Sequence, residues 1–470
     1  MGGQMANRLG ESAVVIGGSM AGLVTARVLA DHFETVTVLE RDQIESRPAL
    51  HKSIPQGNHL HLLLPGGQQV MASLYPSLFE NLEKMGSRRA RVGRDFVCYL
   101  QSGKCYTTSG SVREPHDLGI DFYCQSRGLL EYCVREATLQ HANITFQCDC
   151  AVQELVYRDR RVEGVRYNHD GGSHLAVADL VVDTGGRGSH APRWLTDLGF
   201  QAPAETSIGV DLAYASTHFR VPDDYDRREC AMAFDWPSPD SINSTASANG
   251  AVMEIVEGDR WHLTLAGRFG DYPPRDEAGF LAFAKAFRTP KLYDLIKDAE
   301  RIADITTHRF PAAVRRHYEK LAAFPDGFLV LGDAIASFNP VYGQGMTSAA
   351  LQARALGALL EERAAQNSGL SGLALSFFPR AAQVVADPWL LAGYVDLAYA
   401  KTQGERPPDL KEQLSYVAAV DALSANDVEI QRLLQEVLSL CKPVSALNEE
   451  PLRSRVLAEQ RKYPEKYGVA

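Results

Sequence analysis

The chain has 470 residues, 45% of them hydrophobic, with 48 Lys and Arg against 58 Asp and Glu for a formal net charge of −10. That acidic balance argues against nucleic acid or an anionic membrane surface as a partner, and the length allows a large core shared by two or three closely packed domains. Eight cysteines are scattered, only Cys148-Asp149-Cys150 lie close together on what reads as a strand, and no Cys-x-x-Cys occurs, a pattern of free thiols rather than a disulfide framework or a zinc site.

Met1–Gly10 lacks the apolar core of a signal peptide, and the longest apolar run is broken by glycines and Arg27, so the expectation is a cytoplasmic protein with no membrane span. The first strong element is Ala13–Gly22, AVVIGGSMAG, an apolar run followed at once by the helical pattern of Leu23–Ala30. This reads as buried strand, tight turn and helix, with the helix N-terminus offering free N–H groups and a positive dipole end to a pyrophosphate. Gly17, Ser19, Met20, Ala21 and Gly22 form that turn; Ser19 stands where the Gly-x-Gly-x-x-Gly pattern has its middle glycine. Thr35–Glu40 is then a β-branched strand ending in a carboxylate, about 20 residues on, at the spacing a ribose diol requires.

His59 and His61, two residues apart on an extended segment, point the same way and could form a metal pair or a base. No third ligand lies nearby, and they read as structural imidazoles hydrogen-bonded within a loop. Residues 151–157, 162–167 and 180–183 form an antiparallel excursion that returns to the parallel sheet. From Ile208 the pattern changes: 208–220, 251–256 and 260–266, the last two joined by a Gly258-Asp259 turn, predict an antiparallel sheet with Trp261, Leu263 and Leu265 on one face. That face either roofs a substrate pocket or packs on helices such as the one expected at 280–287.

Phe328–Gly332 is a further strand, and Asp333 follows at its end. Pro340, Gly343 and Gly345 let the backbone run close to a planar ring, and a helix starting near Met346 would aim its N–H groups at the ring's edge. A nucleotide fold that opens at Val14 and closes beyond Leu329 usually holds FAD. Beyond Ser371 the chain is helical, with two helices expected at 376–389 and 390–399, the second capped by Asp387 ahead of Pro388. Gln403–Asp409 is the best candidate for a mobile loop.

The Gly17–Gly22 turn with Glu40-Arg41, the central Arg127 of 125–135, and Gly332-Asp333 with Pro340-x-x-Gly343-x-Gly345 resemble the FAD-dependent monooxygenases of the aromatic-hydroxylase superfamily, over roughly the first 360 residues. Residues 330–346, together with 54–61 and 183–189, most resemble the epoxidases that act on polyene precursors of polyether ionophores. The implied fold is α/β. A Rossmann-like FAD-binding domain of glutathione-reductase type occupies 11–190 and 309–370, an inserted antiparallel-sheet substrate domain 191–308, and a C-terminal helical region 371–470.

The resemblance implies that Arg41 lies beside the adenosine ribose and Arg127 along the FAD. Gln56 and Gly57 would belong to a loop passing the ribityl chain and ring, with Glu40 on the ribose, Asp333 on a ribityl hydroxyl, and Met346 opening the helix aimed at the flavin. It also implies oxygen transfer from a flavin C4a-hydroperoxide to a largely apolar small molecule, with O2 as co-substrate. NADPH or NADH would supply electrons, directly or through a separate flavin reductase. The superfamily's Asp-Gly fingerprint here reads Asp183-Thr-Gly-Gly-Arg-Gly-Ser189, with Asp and Gly separated.

An aromatic hydroxylase of phenols differs from an epoxidase in needing a base, since an alkene has no proton to lose. A flavin-dependent halogenase would normally carry Trp-x-Trp-x-Ile-Pro, whereas Trp194, Trp236, Trp261 and Trp389 are isolated. A flavin reductase of isoprenoid double bonds is the remaining alternative.

Overall fold

In the computed structural model, residues 8–49, 55–108, 110–225, 229–234 and 248–468 are described. Residues 52–55, which lead into the Gln56-Gly57 loop, and Trp236 lie outside the described residues or side chains.

A five-stranded parallel sheet runs in the spatial order Phe328–Val330, Leu180–Asp183, Gly10–Ile16, Phe33–Leu39, Ile144–Gln147. Its central strands are buried on both faces and rich in Val, Ile and Leu, as a sheet covered on both sides requires. The register puts Ile16 opposite both Leu39 and Asp183, and Asp183 opposite Val330. All four strands therefore end level. Gly17, Glu40, Thr184 and the Leu331–Asp333 segment emerge along one carboxyl edge, although more than 300 residues separate the first from the last.

The excursion expected at 151–167 is a three-stranded antiparallel sheet of Ala151–Arg158, Arg161–His169 and Gly172–Val177, and Leu180–Asp183 then returns to the parallel sheet. Cys148–Cys150 is not on a strand. It forms the bend between Ile144–Gln147 and Ala151–Arg158, where Asp149 takes φ +56°, because the chain must reverse from one sheet into the other.

The second large sheet has eight strands, with Thr306–Arg316, Glu205–Arg220, Arg260–Arg268, Gly250–Val256 and Cys230–Phe234 neighbouring in that order. Alternation gives it two chemically distinct faces. Ala215, Phe219, Met253, Ile255, Trp261, Leu263 and Leu265 pack on Phe280 and Ala284 of the helix Glu277–Lys285, and on Leu292 and Ile296 of the next helix. The apolar face thus covers helices and not a substrate pocket. Its opposite face bears Tyr214, Ser216 and His218, then Thr264 and His262, then Glu254, with His308 beside Tyr214.

One helix, Leu373–Leu397, replaces the two expected at 376–399. Pro379 and Pro388 lie within it, and Phe377, Phe378, Ala381 and Val385 form a continuous buried stripe whose packing outweighs the backbone bonds the prolines remove. Asp387 caps nothing there; its carboxylate accepts from the Val444 N–H at 3.1 Å.

Candidate cofactor and substrate site

Gly17 closes the first strand in a conformation of φ +96° that favours glycine, and Thr184 ties the turn through its hydroxyl to the Ile16 carbonyl at 2.7 Å. A Cβ on Gly22 would stand 1.8 Å from the Gly17 carbonyl oxygen, so the helix Met20–Leu29 can approach the strand only with glycine there. The Met20, Ala21 and Gly22 N–H groups find no acceptor among the described residues. They are the open first-turn donors of a helix that begins at the sheet's carboxyl edge.

Glu40 is buried at the end of the second strand and holds the turn by both oxygens, accepting from the Gly18 N–H at 2.7 Å and the Asp42 N–H at 2.9 Å. Arg41, next to it, is exposed.

The structure brings Ser19, Arg127 and Met346 together. Arg127 opens the helix Arg127–Leu139, capped by the Ser126 hydroxyl, and donates to the Ser19 hydroxyl at 2.7 Å, to Met346 Sδ at 3.3 Å and to Glu131. Ser19 in turn donates to Glu131 at 2.8 Å. The hydroxyl of Ser19, which stands at the middle glycine position of the turn, is therefore engaged by the Arg127–Glu131 pair. Glu131 was not anticipated, though its position one helical turn after Arg127 is the sequence signal for such a pair.

The distal half arrives where the parallel register requires. A Cβ on Gly332 would lie 3.0 Å from Ala21 Cβ, so the two halves of the site touch. Asp333 sits in a single helical turn, Gly332–Ala334, after the strand. Its carboxylate accepts no hydrogen bond from the described residues, and a Cβ on Gly345 would stand 3.6 Å from its Oδ1. Burial raises its pKa to about 6, against the pull of Arg127 and Arg187.

Pro340 begins a tight turn to Tyr342, Gly343 ends it at φ +66°, and the helix Gly345–Gln366 follows with first-turn N–H groups that have no acceptor among the described residues. Gln352 fixes this junction by accepting from the Gly332 N–H at 2.9 Å.

FAD fits these residues. An open carboxylate, two helix N-termini with free donors and glycines that keep the backbone bare converge on one edge, and the carboxylate and donors have no partner among the described residues.

Gln56 is exposed and Gly57 buried in a short turn leading to His59, whose N–H the Gln56 carbonyl accepts at 3.0 Å. The chain then runs past the turn at 340–345, the loop expected to face the flavin, with Leu62 and Leu64 3.7 Å from a Cβ position on Gly343, and the Leu64 N–H donates to Thr347 Oγ1 at 3.0 Å. His59 Nδ1 meets Ser216 Oγ at 2.7 Å, and His61 Nδ1 donates to the His59 carbonyl at 2.8 Å. Each ring is hydrogen-bonded through its Nδ1. Burial, with His308 nearby, lowers the His59 pKa to about 3; burial and then Arg127 lower that of His61 to about 4. Both rings are neutral at pH 7. Among the described residues no group of three His, Cys, Asp or Glu could hold a metal.

Residues 120–222 match the family described as FAD binding domain. Protein Rv3254 of Mycobacterium tuberculosis is 33% identical over 415 residues, covering 86% of this chain and 84% of that protein. The structure of flavin-dependent brominase Bmp2 superposes with a TM-score of 0.66 at 13% identity, over 97% of this chain and 100% of that one. That of p-nitrophenol 4-monooxygenase PnpA from Pseudomonas putida does so with a TM-score of 0.61 at 16% identity, over 91% and 99%. No helix among the described residues is long and apolar enough to cross a membrane. With an FAD-binding domain and a fold shared with flavin-dependent monooxygenases and halogenases, the chain belongs to the family of the mycobacterial protein Rv3254.

Proposed function

We propose that this chain is an FAD-dependent monooxygenase that places one atom of O2 on a largely apolar small molecule of secondary metabolism, by hydroxylation or epoxidation. The observation that carries the reading is the open Asp333 carboxylate set between two helix N-termini with unspent donors. In this reading Glu40 serves the adenosine ribose, the Met20–Gly22 N–H groups the pyrophosphate, Asp333 the ribityl chain, and the Gly345–Thr347 N–H groups the ring edge where negative charge collects on reduction. FAD, when bound and reduced, supplies the electrons that activate O2. The protein binds, orients and excludes water. Electrons come from NADPH or NADH, directly or by way of a separate reductase.

Residues 11–190 and 309–370 would be the cofactor-binding part, 191–308 the substrate-binding part and 371–470 a helical cover. Resemblance to polyene epoxidases favours an alkene, whereas the polar sheet face beside the flavin loop favours a substrate that also carries an oxygen function. The test is to load the protein with FAD, reduce it anaerobically with dithionite and admit 18O2 in the presence of candidate substrates. One 18O atom per product supports the reading. Product formed without O2 would replace it with the double-bond reductase.

A further inference from the structure

His59 lies where the polar face of the roof sheet meets the segment alongside the flavin loop, 5.5 Å from the Tyr214 ring and 5.9 Å from the His308 ring by centroids. It ends a buried relay. The Leu60 N–H donates to Thr264 Oγ1 at 3.0 Å, Thr264 Oγ1 meets Ser216 Oγ at 2.7 Å, and Ser216 Oγ meets His59 Nδ1 at 2.7 Å.

A backbone N–H can only donate, so one end of this relay has a fixed sense. If Thr264 donates to Ser216 and Ser216 to Nδ1, every relay hydrogen is used. Were Nδ1 instead the donor, Ser216 would donate to Thr264, and the Thr264 hydroxyl hydrogen would be buried with no acceptor among the described residues. Such an orphan costs about 1–3 kcal/mol. The first sense leaves one unmatched group, the Nε2–H, where the second leaves two, the Thr264 hydroxyl hydrogen and the bare Nε2 lone pair; the first therefore has the better balance, and it places the imidazole proton on Nε2.

That Nε2 is buried and has no hydrogen-bond partner among the described residues, while His59 as a whole is 4% exposed. A buried donor that the protein leaves unmatched calls for an explanation, and an acceptor brought by another molecule is one. The backbone turn at 56–59, the Ser216–Thr264 pair on the roof and the Tyr214 and His308 rings hold His59 in place, so the donor is pre-positioned.

We propose that His59 is a specificity-determining residue whose Nε2–H binds a carbonyl or phenolate oxygen of the substrate. The inference rests on the monooxygenase reading and narrows its substrate class to unsaturated molecules that carry such an oxygen. With Nδ1 already an acceptor for Ser216, the ring acts as a fixed donor and not as a general base. The relay residues Ser216 and Thr264 are positioning residues that set its tautomer.

The test uses the FAD-loaded protein with 15N-labelled histidine, in which His59→Gln assigns the His59 signals among the 13 histidines. The expected result is an Nε2–H tautomer in the substrate-free holoenzyme, lost or mixed in Ser216→Ala. An Nδ1–H tautomer would overturn the proposal. So would an Nε2 resonance that moves when FAD is added alone, since the donor would then belong to the cofactor.

Binding is read from the flavin absorbance with matched probes, 2-naphthol against naphthalene and 2-acetylnaphthalene against 2-ethylnaphthalene. In each pair the oxygen-bearing compound should bind at least about tenfold more tightly, a typical worth for one buried hydrogen bond. His59→Gln, whose amide can present an N–H near the same point, should keep the preference; His59→Phe should erase it. A panel in which no oxygen-bearing probe outbinds its hydrocarbon would sink the idea. Failure to bind FAD at all would instead refute the monooxygenase reading, and the tautomer measurement separates the two.

Discussion

Arg268 Nη1 and Asp396 Oδ1 meet at 2.7 Å with both side chains 1% exposed, joining the roof sheet to the long C-terminal helix. The same carboxylate accepts from the Asn339 amide at 2.9 and 3.0 Å and from the Tyr342 hydroxyl at 2.8 Å, so it clamps both sides of Pro340. Burial opposes the charge on Arg268, yet Asp396, with Tyr342 and Tyr399, holds its pKa above the usual value. Asp396→Ala should cost about 3–5 kcal/mol, because the guanidinium would stay buried without its partner. Denaturant unfolding measures this, and FAD titration should show weaker binding as Asn339 and Tyr342 lose their anchor. A loss below about 1 kcal/mol would mean that the pair is not isolated from solvent.

Asp333→Asn should separate stability from function. Because burial raises the Asp333 pKa to about 6, its stabilising contribution is full below the ordinary carboxylate range and is lost as pH rises through about 6. At pH 7 the FAD-free variant should therefore be more stable than the wild type, by about 1 kcal/mol, while retaining less FAD. Melting temperature and flavin absorbance of the purified proteins check the two halves. A variant that binds FAD fully would remove Asp333 from the site.

Glu40→Gln should weaken FAD binding by about 1–3 kcal/mol through a lost charge-assisted hydrogen bond. Since Glu40 also holds Gly18 and Asp42, the FAD-free protein should lose stability as well. Equal FAD affinity in titration would place Glu40 outside the adenosine site.

Gly22→Ala should abolish FAD retention. The added methyl would press on the Gly17 carbonyl at 1.8 Å, which forces the helix away from the strand and misdirects its N–H groups. Normal flavin content in this variant would show that the turn can relax at no cost.

Acid should destabilise the polar roof. Burial, its largest cause in each, lowers the pKa of His59 to about 3, of His61 and His218 to about 4, and of His262 well below the usual range. Each contributes stability that is complete above its unfolded pKa of about 6.5 and is lost as pH falls towards its folded value. Unfolding free energy should fall between pH 6.5 and pH 4 at up to about 1.4 kcal/mol per pH unit for each histidine, offset in part by Asp333. His59→Gln should lessen that slope. Stability constant across this range would show that water reaches the roof.

The sequence alone determined the strand-turn-helix units of the parallel sheet. Gly17, Gly22, Glu40 and Asp333 belong to local strand-turn-helix patterns in which residue type follows from backbone conformation and helix-end chemistry, and the parallel sheet needs only its apolar strands to align them. The chirality and spacing of such units leave few other arrangements.

Only the tertiary structure decided which face of the eight-stranded sheet packs on helices and which meets the His59 segment. Trp261, Leu263 and Leu265 alternate with His262 and Thr264, and alternation marks two faces without saying which neighbour each receives. The same holds for the contacts of His59 with Ser216 and of Arg268 with Asp396, which lie 157 and 128 residues apart in the chain. No local pattern encodes them, because a buried polar pair gains its energy from exclusion of water by the whole fold. The unbroken helix through Pro388 has the same origin: its local signal predicts a break, and packing against the core of the parallel sheet overrides it.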